Sequence, residues 1–196
     1  MILTTGLGNF PEKYKKTRHN FGFLAVEHLA NKFKFSEFKF EKKFFGEIST
    51  GQINNEKVIL LKPKTFMNLS GKAVLAVKNF YKISTSNTWI FSDDLDLDFG
   101  QTRFREKGSS GGQRGIANII NVLGVSDFPR VKFGILNDKK NLMPTENFVL
   151  SKFSEEEWKK IPQICEKGIN KFLEKIGKFL NNLLSTKSII WKKNFF

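Results

Sequence analysis

The chain has 196 residues, 40% of them hydrophobic, which fits one domain with a single large core and excludes a disordered chain. Its 33 basic against 19 acidic residues give a net charge of +14, which favours an anionic partner, nucleic acid ahead of an anionic membrane surface. A lone cysteine, Cys165, excludes an intramolecular disulfide and a cysteine-cluster metal site, and reads as a small buried hydrophobe in a helix.

Residues 2–5 (ILTT) predict a first strand that runs into a glycine turn holding Gly6, Gly8, Asn9 and Pro11. No basic segment followed by an apolar one opens the chain, so no signal peptide is expected. Thr17-Arg18-His19-Asn20 closes the stretch, and His19 is one of two histidines, the side chain that titrates nearest neutral pH. Phe21, Leu24, Ala25, Leu29 and Phe33 lie at helical spacing, with Asn20 placed to cap the helix. Residues 34–43 alternate Phe with charge and fit a strand or a basic loop equally. Residues 44–51 and 58–61 predict two strands joined by a hairpin turn at Asn54-Asn55, with Pro63 ending the second.

After TFMNLSG (65–71), Ala73, Ala76, Val77 and Phe80 predict a helix. Residues 89–91 (WIF) form an apolar run expected to be a buried central strand. It ends on 92–96 (SDDLD), and carboxylates at the end of such a strand stand where open α/β sheets place their ligands. A short strand is expected over 102–105. KGSSGGQRG (107–115) leads into a helix of Ile116, Ile119, Ile120 and Leu123 that Gly124 closes. A strand over 131–136 and a short apolar piece over 148–150 follow. Ser154 and Glu157 form a capping box at the head of a helical segment, 154–184, which Pro162 is expected to kink or divide. Residues 185–196 read as a basic, aromatic tail. No apolar run approaches the roughly 18 residues of a membrane span. Alternating strands and helices predict an α/β fold, a single domain over 1–196 with a mixed sheet covered by helices on both faces.

His19, Asn9, Asn68 and Asp93 all follow predicted strands or open helices, so one end of the sheet could gather them. Asp93 beside one ring nitrogen of His19 would fix its tautomer, the other nitrogen could take a proton from water, and the asparagines could position that water or an oxyanion. Taken singly, His19 fits a structural role as well, and Asp93 a turn carboxylate. The run Asp93, Asp94, Asp96, Asp98 also invites a metal reading but lacks the EF-hand spacing. No G-x-S-x-G supports a serine nucleophile. The glycine run is an anion cradle or a flexible loop, and is not a Walker motif. Arg103, Arg105, Lys107, Arg114, Arg130 and Lys132 around it read as a phosphate-binding stripe.

GLGN (6–9), YKKTRHN (14–20), KTFMNLSGKAV (64–74), SDDLDLDFG (92–100) and GSSGGQRGIANII (108–120), in that order and spacing, resemble the bacterial-type peptidyl-tRNA hydrolase family over nearly the full length. The resemblance implies a twisted mixed sheet in a single domain. It implies cleavage of the ester between a peptide and the 3′-terminal ribose of tRNA, which recycles tRNA for translation. It implies no metal or other cofactor, and a cytoplasmic monomer whose partner is peptidyl-tRNA, with no membrane and no obligate protein partner. By the same resemblance His19 is the general base and Asp93 the carboxylate that holds it. Asn9 distinguishes blocked from free aminoacyl groups, Tyr14, Phe66, Met67 and Asn68 contact substrate, and Arg105 and Lys132 face tRNA phosphates.

The chain departs from the family pattern at three places. Asn9-Phe10-Pro11 replaces Asn-Pro-Gly, Gln113-Arg114 replaces His-Asn, and 134–137 lacks a Gly-x-Gly. Arg114 cannot accept a hydrogen bond; it is expected to bind phosphate or the terminal ribose, and near His19 it would lower the imidazole pKa. The altered 113–114 pair leaves a non-catalytic RNA-binding relative of the splicing-cofactor kind as the alternative function, and the 108–115 loop leaves a nucleotide-binding enzyme as a third, weaker one.

Overall fold

The structure, a computed structural model, describes the backbone of residues 1–193 and the side chains of residues 1–177. Strand β1 (Ile2–Gly6) leads through two 3-10 turns into helix α1 (Phe21–Lys32). There follow β2 (Lys39–Glu41), β3 (Gly46–Ile53), β4 (Glu56–Pro63), α2 (Ser70–Phe80), β5 (Thr88–Asp98) and β6 (Thr102–Arg105). Helix α3 (Arg114–Leu123), β7 (Arg130–Leu136), α4 (Thr145–Leu150) and α5 (Glu155–Lys193) complete the chain. The strands form one mixed sheet in the order β2-β3-β4-β1-β5-β7-β6. Strands β4, β1, β5 and β7 run parallel, and the pairs β2–β3, β3–β4 and β6–β7 are antiparallel.

The run Val58-Ile59-Leu60-Leu61 shows why both faces are covered. Successive strand residues face opposite sides. Val58 and Leu60 enter a core with α1 and α5, while Ile59 and Leu61 enter one with α2 and α3. The phenylalanines concentrate in the first core: Phe21 stacks on Phe133 at 4.9 Å, and Phe91 meets Phe172 edge-on at 5.6 Å. Cys165 lies in this layer, its thiol pushed up to about 12 chiefly by burial. The hairpin turn at Asn54-Asn55 forms as expected, both residues left-handed with φ of 51° and 62°.

Several expectations need correction. Residues 34–43 are mostly loop, with only the three-residue β2 at the sheet edge. Strand β5 does not end after Phe91. It runs 11 residues to Asp98, because pairing with β7 continues through Asp94 after the side chains turn polar. Pro162 does not divide α5, which is continuous past residue 184 into the expected tail; residues 194–196 lie outside the described residues.

The chain passes from β1 to β4 on one side, then through α2 to β5 on the other. This reversal opens a crevice at the carboxyl ends of β4, β1 and β5, the usual ligand position in open α/β sheets.

Candidate active site

Close backbone contact brings the first loop to β5. A Cβ on Gly6 would stand 2.3 Å from the Gly22 carbonyl oxygen, and one on Gly22 would stand 2.3 Å from Leu7 N and Phe91 O. Gly6 is therefore the last residue of β1 and not part of the turn in which the sequence placed it. It lets the start of α1 sit against the β1 and β5 backbones, with the 3-10 turn Arg18–Asn20 just before it. His19 in that turn is only 9% exposed, and its Nδ1 lies 2.7 Å from Asp93 Oδ2. A carboxylate only accepts, so Nδ1 carries the proton and Nε2 is left for chemistry. Burial pulls the His19 pKa down, but the charge and hydrogen bond of Asp93 raise it further, and Arg114 opposes them. The outcome is a pKa above the ordinary 6.5. Arg114 thus acts in the direction expected of it and is outweighed.

Asn20 does not cap α1 with its side chain. Its Oδ1 accepts from the Asn9 N–H at 2.8 Å and its Nδ2 donates to the Asn9 carbonyl at 3.0 Å. The Asn9 Oδ1 in turn accepts from the Met67 N–H at 3.0 Å, which leaves the Asn9 Nδ2 group as the free end of that side chain. Gln113, buried ahead of α3, donates from Nε2 to Asp93 Oδ1 at 3.1 Å and to Met67 sulfur at 3.2 Å. Its Oε1 accepts from the Ile116 N–H at 2.7 Å, so the first turn of the expected anion cradle is already partly occupied by the chain itself.

Asn9, His19, Met67, Asp93 and Gln113 line a cleft of about 530 Å³. Phe66, half exposed, packs against Phe10 at its mouth with centroids 5.3 Å apart, and Asn68 is exposed on its wall. Arg114 from α3 pairs with Glu146 from α4 at the cleft, both well exposed. Lys132 pairs with Asp94 at 2.8 Å.

Arg130 does not belong to the basic stripe. It is 1% exposed and donates to the carbonyls of Gly108, Ser109 and Ser126, bracing the glycine loop, where Gly108, Gly111 and Gly112 take positive φ. Among the described residues no group of three or more His, Cys, Asp or Glu could hold a metal ion, and no helix is long and apolar enough to cross a membrane.

The model of the peptidyl-tRNA hydrolase family matches residues 3–189. The chain belongs to the peptidyl-tRNA hydrolase family. It is 48% identical over 157 residues to a peptidyl-tRNA hydrolase of Clostridium botulinum (strain Hall), covering 80% of each chain. It is 49% identical over 164 residues to that of Clostridium acetobutylicum, covering 84% of this chain and 85% of the relative. A crystal structure of the peptidyl-tRNA hydrolase of Acinetobacter baumannii superposes with a TM-score of 0.79 at 32% identity, over 95% of this chain and 91% of that one. Membership makes the chain a hydrolase of the ester in peptidyl-tRNA.

Measured against the family pattern, the structure brings His19, Asp93, Asn9 and Met67 into contact through hydrogen bonds and places Phe66, Asn68, Arg114 and Lys132 around the same cleft. Tyr14 and Arg105 do not line it. Sequence reasoning passed over Asn20, Gln113 and the buried Arg18. Arg18 binds Glu157 through two bonds, 2.9 and 2.7 Å, and lies over the rings of Phe148 and Phe153. The signals were present but ambiguous: an Asn ahead of a helix suggests a cap, and Gln113 was noted only as standing where the family pattern has His.

Proposed function

We propose that this peptidyl-tRNA hydrolase works by water activated on His19. The observation that carries the proposal is the buried 2.7 Å bond from His19 Nδ1 to Asp93, which commits that nitrogen and leaves Nε2 as the ring's base in a cleft large enough for a peptide ester. Asp93 stabilises the imidazolium that forms when Nε2 takes the proton of water. An ester has a better leaving group than an amide, so activated water and oxyanion stabilisation suffice without a covalent intermediate.

Asn9, with its backbone and Oδ1 both held, offers Nδ2 to the carbonyl of the blocking group and so selects N-blocked substrates. Phe66, Met67 and Asn68 contact the peptide and the terminal nucleotide, and Arg114 contacts its phosphate or ribose. Tyr14, Arg105 and Lys132 act at the tRNA rather than at the ester. The chain acts as a cytoplasmic monomer on peptidyl-tRNA. The intact His19–Asp93 pair disfavours the non-catalytic RNA-binding alternative.

Single-turnover cleavage of N-blocked aminoacyl-tRNA tests the mechanism. His19→Ala is expected to lose at least about 100-fold in rate while it keeps tRNA binding. A variant that cleaves at the wild-type rate would rule His19 out as the base.

A further inference from the structure

Gln113 carries more of the site than its position suggests. A backbone N–H can only donate, so Gln113 Oε1 must face Ile116 N–H, 2.7 Å away. That contact sets the orientation of the whole carboxamide and turns Nε2 toward Asp93 Oδ1, at 3.1 Å. The other Asp93 oxygen, Oδ2, is the one that meets His19. The same Nε2 touches Met67 sulfur, Met67 N–H is bound by Asn9, and Asn9 is clamped by Asn20, next to His19 in the chain. The contacts therefore form a closed ring, and Gln113 is the member that joins the α3 start to both arms.

We propose that Gln113 is a positioning residue, which locks the Asp93 carboxylate in the rotation that presents Oδ2 to His19. The proposal rests on the reading of His19 as the general base. It assigns a consequence to one departure from the family pattern. A histidine at this place would add a second titrating group beside Asp93, whereas glutamine supplies the N–H without titrating.

The other charged groups lining the cleft are Asp94 from β5, paired with Lys132 from β7, Arg114 from α3, paired with Glu146 from α4, and Asp96 further along β5. Asp93 is the carboxylate that contacts His19, so a change in how it is held registers directly in the His19 titration.

The test compares wild type, Gln113→Glu and Gln113→His. Two readouts are taken: the His19 protonation midpoint by imidazole NMR, with His28→Gln for assignment, and the pH profile of kcat/KM on N-blocked aminoacyl-tRNA. Gln113→Glu keeps an acceptor for Ile116 N–H but sets a carboxylate against Asp93 Oδ1. It is expected to move the His19 midpoint and the acid limb of the profile up by about one pH unit. At neutral pH kcat should fall about tenfold with KM little changed. Gln113→His restores a donor and is expected to recover kcat, while a second step enters the His19 titration. A thermal melt identifies a variant that fails to fold, in which case the Gln113→His titration decides alone. A His19 titration unchanged in the folded variants overturns the proposal. Midpoints that move in a protein whose wild type does not cleave would leave the positioning role standing and remove the catalytic reading of His19.

Discussion

Three residues, His19, Asp93 and Arg114, set how the site responds to pH. As the proposed base, His19 must be neutral to accept a proton, and its pKa lies above 6.5, so kcat/KM is expected to fall as pH drops through that raised value. The stabilising effect of the His19–Asp93 pair runs the other way. It is fully present below the unfolded pKa of about 6.5 and is lost as pH rises through the folded value. Arg114 is the group that opposes the shift. Arg114→Asn should therefore move the acid limb further up, by less than the Asp93 effect because the Arg114 side chain is 66% exposed and screened by water. A kcat/KM profile that moves down in Arg114→Asn would reverse this assignment.

At the scale of elements, the loop that carries His19 is fastened to α5. Arg18 makes its two-bonded contact with Glu157, and Glu157 also accepts from Ser154 N–H and Asn137 Nδ2 while Ser154 Oγ accepts from Glu157 N–H. The capping box read from the sequence is thus one part of a larger junction. Burial raises the Glu157 pKa, but Arg18, Ser154 and Asn137 lower it further, to below its ordinary value. Its contribution to stability is present above about pH 4.5 and is lost as pH falls through the lower folded value. Arg18→Met leaves Glu157 without its main partner and is expected to cost about 3–5 kcal/mol, read from equilibrium unfolding in urea. The acid sensitivity of the variant should shrink with it. A midpoint equal to that of the wild type would show that the bridge only fills space.

For the whole molecule, the net charge of +14 predicts salt-sensitive binding of tRNA. The structure divides the basic residues by role. Arg105 stands exposed on edge strand β6 and Lys132 sits against Asp94, while Arg130 is buried under the glycine loop. Arg105→Ala should weaken tRNA binding and reduce the slope of log K against log salt by about one. Arg130→Ala should leave the slope alone and lower the melting temperature. Equal slopes for wild type and Arg105→Ala, measured by filter binding over a salt series, would take Arg105 out of the interface.

Local physics settled much of this in advance. The strand over 58–61, the Asn54-Asn55 turn, the Ser154–Glu157 box and the Gly124 stop rest on short-range signals, and each appears where the sequence places it. The residue types of the proposed catalytic pair were legible for the same reason, since few side chains suit proton transfer near neutral pH. What the chain order could not decide was which polar side chains meet. Asn20 prefers the Asn9 backbone to a helix cap, Arg130 turns inward to three carbonyls, and Gln113 reaches Asp93 across 20 positions. A buried polar group takes whatever partner the packed fold brings within reach, because leaving it unpaired costs more than giving up a local preference. Those partners lie on other elements, so only the tertiary structure could name them.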